Sequence, residues 1–347
     1  MAIKSLKQTI LASAAALAMT IGLAAPPAQA EDAPINLKIS LWVPPSHPLI
    51  ASAKSWAADI AKESGGSITA TIFPAEQLGK AFDHYDMVRD GIADVAYISP
   101  GYQPGRFPII DASQLPFTIA NGKGGSAAVD AWYAKYAPKE MGDTHYCMAF
   151  VSDPGTIHSK TKITTPDDMK GRKVRPAQAM MGSFVTHLGG TNVQSSIGEA
   201  RDIIERGVAD SITDFWNSQF LFGINNATKF HIDVPMYVTT YVWQINKGVY
   251  DNASAAQKAV LDHHCTPEWA EKLASPWADF EHAGLDLTRK TQGHTIVELT
   301  PEQLAAWKQA AAPLQDDWAA AVRKVGENPD TVLAELKAQL VAHNAAP

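Results

Sequence analysis

Cysteine is almost missing from this chain: Cys147 and Cys265 are the only two in 347 residues. That scarcity excludes a disulfide-stapled miniature scaffold and a cysteine-rich zinc domain. Excess positive charge is missing too. A formal net charge of −7 argues against nucleic acid and against anionic lipid headgroups as partners. After residue 30 no apolar run approaches the roughly 20 residues needed to cross a bilayer, so no stable membrane insertion is expected. Neither a Gly-x-Ser-x-Gly nucleophile elbow nor a His-Glu-x-x-His zinc helix is present, which leaves a secreted hydrolase as a weak alternative. Low-complexity tracts and coiled-coil heptads are also lacking.

The first thirty residues read as a cleavable signal peptide. Lys4 and Lys7 precede an apolar stretch from Ile10 to Leu23, and Ala28-Gln29-Ala30 supplies a small-residue cleavage site. Pro26 and Pro27 work against a retained anchor, and no lipobox cysteine follows. A periplasmic protein of about 317 residues is expected, with a net charge of −9 once the two lysines are gone. That length exceeds what one core usually supports, so two lobes are expected.

Two stretches echo each other, Asp86-Met-Val-Arg-Asp-Gly-Ile-Ala-Asp-Val-Ala-Tyr and Asp202-Ile-Ile-Glu-Arg-Gly-Val-Ala-Asp-Ser-Ile-Thr. Each is a helix end, a glycine (Gly91, Gly207) and then a run with strand character. Glycine past a helix supplies the left-handed position without a Cβ penalty. Each unit therefore reads as a crossover helix feeding a parallel strand, one unit in each of two α/β lobes. A cleft between such lobes is where small ligands usually bind.

The first lobe opens as βαβαβ: a strand at Leu37–Trp42, a helix capped from Ser46, a strand at Ile68–Ile72, a helix at Phe82–Asp90 and a strand at Ala93–Ser99. Loops 42–47, 74–81 and 99–107 should then face the cleft. Residues 147–158 cross to the second lobe, where a strand ends near Arg175 and another begins at Val193. The extended run 234–246 returns to the first lobe, and from Ser254 the pattern is helical. Thr300-Pro-Glu-Gln has the form of a capping box. Cys147 is either the partner of Cys265 or an ordinary buried thiol. Vicinal His263 and His264 beside Cys265 read as surface histidines, and no metal or cofactor is expected.

Arg175 stands out. Pro176 biases it towards extended backbone, and an arginine at the carboxyl end of a cleft strand presents a planar donor fork to a carboxylate. The alternative is a surface arginine in the run Lys170, Arg172, Lys173. The segment Ile163-Thr-Thr-Pro-Asp-Asp-Met-Lys-Gly-Arg-Lys-Val-Arg175 resembles the hallmark of the periplasmic solute-binding proteins of TRAP transporters, the DctP family. Gln77-Leu-Gly79, Gly91–Asp94, Phe107-Pro108, Leu115-Pro116-Phe117 and Gly207–Asp210 fit the same resemblance in order along most of the chain. The resemblance implies a two-lobed periplasmic-binding-protein fold (type II-like), each lobe a doubly wound sheet flanked by helices, with a long helix spanning both. The expected lobes are residues 31–152 plus about 240–281, and 153–239 plus about 282–347. It also implies that the last arginine of the motif, Arg175, grips a ligand carboxylate, and that the receptor, not itself an enzyme, delivers a small organic acid to a TRAP permease. An ABC-importer receptor is the alternative within binding proteins.

Two positions depart from the family pattern. Asp214 stands where many relatives have an asparagine, and Gly155 where some carry a second arginine. Both place dicarboxylate ligands in doubt. Asp214 either locks Arg175 or meets a cationic or hydroxyl group of the ligand. Trp42, Phe82, Tyr97, Trp216 and Trp243 fall near strand ends or cleft loops and suit an aromatic or zwitterionic acid. Ser99, His158, Asn217 and Gln244 are the neutral donors expected near it.

Overall fold

The computed structural model describes residues 32–347, so the expected signal peptide lies outside the described residues. Residues 33–347 form one compact unit. Eleven strands are described: β1 (Ile35–Ser40), β2 (Ile68–Phe73), β3 (Val95–Ile98), β4 (His145–Val151), β5 (Thr156–Ser159), β6 (Lys173–Arg175), β7 (Thr191–Asn192), β8 (Ser211–Asp214), β9 (Phe230–Ile232), β10 (Thr240–Ile245) and β11 (Thr295–Val297). They build a first sheet, β2-β1-β3-β10-β4, and a second, β11-β9-β5-β8-β6-β7. The helices are α1 (Pro48–Glu63), α2 (His84–Arg89), α3 (Gly122–Tyr133), α4 (Ala137–Glu140), α5 (Ala179–His187), α6 (Ile197–Glu205), α7 (Ser218–Leu221), α8 (Lys247–Asn252), α9 (Ala255–His263), α10 (Pro267–Lys290), α11 (Pro301–Lys324) and α12 (Pro329–Ala342). No described helix is long and apolar enough to cross a membrane.

The sequence echo is a structural repeat. Gly91 (φ +76°) and Gly207 (φ +74°) both end their helices in the left-handed region. Beyond them, β3 pairs with β1 and β8 with β6, both parallel. The repeated aspartates do identical work. Asp94 donates its N–H to the Lys38 carbonyl (2.9 Å) and accepts from the Lys38 N–H (2.8 Å). Asp210 donates to the Lys173 carbonyl (2.8 Å) and accepts from the Lys173 N–H (3.1 Å). Each side chain thus satisfies a backbone donor at the point where parallel pairing begins.

The sheets are mixed, because β10 runs antiparallel to β3 and β4, and β5 antiparallel to β8 and β9. These antiparallel strands carry two of the crossings between sheets, from β4 to β5 and from β9 to β10; a third, from β10 to β11, runs through α10. The long helices tie the halves together. On α11, Trp307 donates to the Thr164 carbonyl beyond β5, and Trp318 donates to the Pro108 carbonyl beyond β3. Helix α10 packs on α1, α3 and β4 and reaches α7 and β11. Helix α12 lies on α3 beside the first sheet, with Trp132 donating to the Val332 carbonyl (3.1 Å). The sequence had assigned this last segment to the second lobe.

Four local expectations change. His47, not Ser46, caps α1, its Nδ1 accepting from the Leu49 N–H (3.2 Å). Val193 follows the two-residue β7 instead of starting a strand, and β11 interrupts what read as continuous helix. Cys147 and Cys265 form a disulfide, closing a sequence separation of 118. His263 is exposed, whereas His264 is fully buried, its Nδ1 2.8 Å from the Val260 carbonyl.

Candidate functional site

The carboxyl ends of β3 and β6 and the loops after them meet in a small cavity of ≈ 20 Å³, room for about one water. First-sheet loops and strands contribute Trp42, His47, Tyr97, Tyr102 and Tyr241; the second sheet contributes Arg175 and Asp214, and α10 contributes Trp277. The rings pack on one another: Trp42 stacks on Tyr97 at 4.7 Å between centroids, and Tyr241 lies 4.7 Å from Tyr97. A second, more open cavity of ≈ 270 Å³ shares Tyr102 and Ala177 with the first and extends past Gln178 and Ser195 to α5. It holds no aromatic cage, and Asp317 is in its lining.

Arg175 is 1 % exposed, which removes the surface reading. Its Nε and Nη2 donate to the Ser195 carbonyl (3.2 and 3.0 Å), and Nη2 also donates to the Tyr102 hydroxyl (3.1 Å). Nη1 makes no hydrogen bond among the described residues. Nε and both Nη2 hydrogens are therefore committed, which leaves Nη1 as the free donor. Tyr102 belongs to the first-sheet loop, so this contact bridges the two walls. Gly101 permits the approach, since a Cβ there would sit 2.6 Å from the Gln178 Cβ.

Asp214 forms no direct ion pair with Arg175, and its Oδ2 is buried without a partner. Burial pushes its carboxyl up to about 8; the Arg175 charge lowers it and Glu281 raises it. Near neutral pH Asp214 is thus a protonated acid with a hydrogen to donate. Trp42 Nε1 is a second buried, unpartnered donor in the same cavity, and Gln178 Nε2 and Ser195 Oγ are unpartnered in the adjoining one. Native proteins leave few such groups, so their concentration here points to a polar guest.

Behind Asp214 runs a chain of three histidines. His158 Nε2 contacts the Asp214 carbonyl (3.2 Å), His158 Nδ1 contacts His231 Nδ1 (2.7 Å), and His231 Nε2 contacts His294 Nδ1 (2.8 Å). Burial holds all three below the usual histidine range, His158 at about 3. With the rings neutral, the Asp214 carbonyl requires His158 to donate from Nε2. Each ring then accepts from the next, out to Lys229 beside His294 Nε2 (3.5 Å).

Of the residues expected at the site, Arg175, Asp214, Trp42 and Tyr97 line one cavity. Ser99 is buried nearby with an unpartnered hydroxyl. Phe82 stacks behind Tyr102 at 4.6 Å. His158 supports Asp214 from behind, and Trp216 packs edge-on against His158. Asn217 is outside that lining: its N–H donates to Glu281 (2.7 Å) and its Nδ2 to the Phe280 carbonyl (2.8 Å). Trp243 is also outside the cavity, packed on Trp56 under α1. Gln244 contacts Thr144. Tyr102 and His47 lie in loops expected to face the cleft but were not singled out. Trp277, on a helix distant in sequence, gave no signal.

Gly155 accounts for the second departure. A Cβ there would lie 2.8 Å from both the Asp214 carbonyl oxygen and the Tyr237 ring. No arginine fits at this position without moving them.

The family model described as "Bacterial extracellular solute-binding protein, family 7" (DctP) matches residues 39–321. A curated relative, the outer membrane transporter protein TsaT of Comamonas testosteroni, is 26% identical over 195 residues, 55% of this chain and only 57% of that protein's length. A marine metagenome TRAP solute binding protein specific for aromatic acid ligands, solved with 3-hydroxybenzoate, superposes with a TM-score of 0.83 at 28% identity, covering 90% of this chain and 99% of that one. A TRAP solute binding protein from Rhodoferax ferrireducens T118, solved with copurified benzoate, gives 0.83 at 26% identity, over 89% and 98%.

Proposed function

Because this chain belongs to the DctP family, the extracytoplasmic, non-enzymatic solute receptors of TRAP transporters, we propose that its ligand is a small aromatic monocarboxylate bound between the two sheets. The carrying observation is the buried Arg175, with its Nη1 free to donate, beneath a cage formed by Trp42, Tyr97, Tyr102 and Tyr241. A carboxylate pairs with Nη1 in charge-assisted bonds, and takes the second Nη2 hydrogen where Tyr102 yields it. The ring lies among aromatic faces that exclude water and strengthen the pair. Protonated Asp214 donates to a carboxylate oxygen or to a ring hydroxyl, and Trp42 Nε1 offers a second donor. A second carboxylate would find Asp214 and no second cation, so dicarboxylates are disfavoured. The bound acids of the two structural relatives support the aromatic class.

Entry requires the walls to part, because the cavity is smaller than a benzoate. The lobes are residues 33–152 with 240–281, and 153–239 with the segment from 282 through α11. Hinges lie at the crossings 152–155 and 233–239 and within α10. The closed form is what a membrane permease of the TRAP type would receive, in the periplasm.

Thermal shift and calorimetry with benzoate, 3-hydroxybenzoate, 3-hydroxyphenylacetate and succinate test this reading. At 100 times its dissociation constant a ligand stabilises by about 2.7 kcal/mol. An aromatic acid should give that response, succinate should not, and Arg175→Met should abolish it. A response to succinate alone, or an aromatic response undiminished in Arg175→Met, overturns the assignment.

A further inference from the structure

Far from the cleft, the carboxyl-terminal ends of α1 and α9 bring together Glu63, His263 and His264, each with one potential ligand atom within 4.8 Å of the others. From this constellation we propose a second site on the protein, one that binds a borderline divalent transition metal, with zinc as the reference ion.

From sequence both histidines read as surface residues. The backbone separates them, because α9 ends at His263 and His264 is the residue that leaves the helix. Its ring turns inward, fully buried, with Nδ1 2.8 Å from the Val260 carbonyl. A carbonyl only accepts, so Nδ1 carries a proton, and Nε2, which faces the Asp59 carboxylate, is the nitrogen that would give up that contact and any proton on it to a metal. A metal-binding imidazole is typically oriented in this way by a backbone carbonyl. Nε2 meets Asp59 Oδ2 at 3.3 Å, one turn before Glu63 on the same face of α1. His263 Nδ1 lies 3.0 and 2.8 Å from the two Glu63 oxygens.

Two imidazole nitrogens and a carboxylate are a common three-ligand set for zinc, leaving the fourth position to water or to Asp59. The support is rigid. Trp56 donates to the His264 carbonyl (2.9 Å), and Cys265, the next residue, is bonded to Cys147 of β4. The carbonyl end of α9 adds negative potential where a cation would sit. The bland alternative is two ion pairs between α9 and α1, His263 with exposed Glu63 and buried His264 with Asp59.

Two aromatic rings supply an optical readout: Trp269 lies 4.8 Å and Trp56 6.5 Å from the His264 ring. Untagged protein, stripped with EDTA, is titrated with zinc chloride by calorimetry and with copper(II) by tryptophan fluorescence. One zinc per chain is expected, with quenching by copper that zinc competes away. His263→Ala and Glu63→Gln, both at exposed positions, should weaken zinc binding by at least about tenfold. Both should leave benzoate binding unchanged, which separates this site from the cleft. Absence of zinc binding, or zinc affinity unaltered in both variants, overturns the proposal.

Discussion

The protonation of Asp214 can be measured without knowing the ligand. Its carboxyl titrates near 3.9 in an unfolded chain and at about 8 in the folded one, because burial outweighs the opposing Arg175 charge. Between those values the folded state holds a proton that the unfolded state has lost. Stability therefore falls as pH rises from about 4 to about 8, and levels off above. Each unit of that window is worth up to about 1.4 kcal/mol. From pH 5 to pH 8 the loss comes to about 3–4 kcal/mol, or roughly 5–6 °C in Tm for a chain of this size. Asp214→Asn removes the titration while keeping shape and polarity. Other buried acids with raised values, Asp111 at about 7, Asp130 at about 6 and Glu140 at about 7, act equally in both proteins and cancel in the difference. The Tm of Asp214→Asn minus that of the parent should thus grow by that amount across pH 5–8, with no ligand added. A difference that stays flat would mean that Asp214 is already ionised beside Arg175, and the donor role assigned to it would fail.

Three further outcomes follow. Cys147→Ser should lower stability by about 4–5 kcal/mol in the chain-entropy account of a loop this long, read by denaturant unfolding; a loss below about 1 kcal/mol would make the bridge dispensable. Gly101→Leu places a side chain against Gln178 and should prop the walls apart, weakening aromatic-acid binding with the far-ultraviolet circular dichroism unchanged; undiminished affinity would show that closure does not use this approach. Gly284→Val drives a Cβ towards the Asn217 nitrogen, 2.3 Å away, and should lower Tm sharply; a neutral result would mean that α10 shifts freely against that loop.

Much of this architecture was legible in the residues because local chemistry and fold agree. The repeated Gly-x-Ala-Asp units state helix end, turn and strand entry in four residues, and both fold accordingly. Thr300 and Gln303 make the expected capping box. Arg175 was readable because a strand end and a following proline fix its place. What escaped was set by tertiary packing. Trp243 has the composition of a cleft residue but pairs opposite Tyr97 and fills the space under α1. Asn217 sits beside the site yet spends its donors on α10. Trp277 reaches the cavity only because Gly284 lets its helix press against residues 216–217, a contact no local pattern announces. The disulfide depended likewise on β4 and the end of α9 lying side by side.

The cavity's walls are chemically unlike. One brings mostly rings, and the other brings the cation and the acid beside Phe215 and Phe222. The site therefore behaves as a logical conjunction. A short aliphatic acid satisfies the charged wall and gives the rings little to grip, while an uncharged arene does the reverse. Only a molecule carrying both features has reason to hold the two walls together, so recognition and closure are one event, and the closed shape itself states that both conditions have been met.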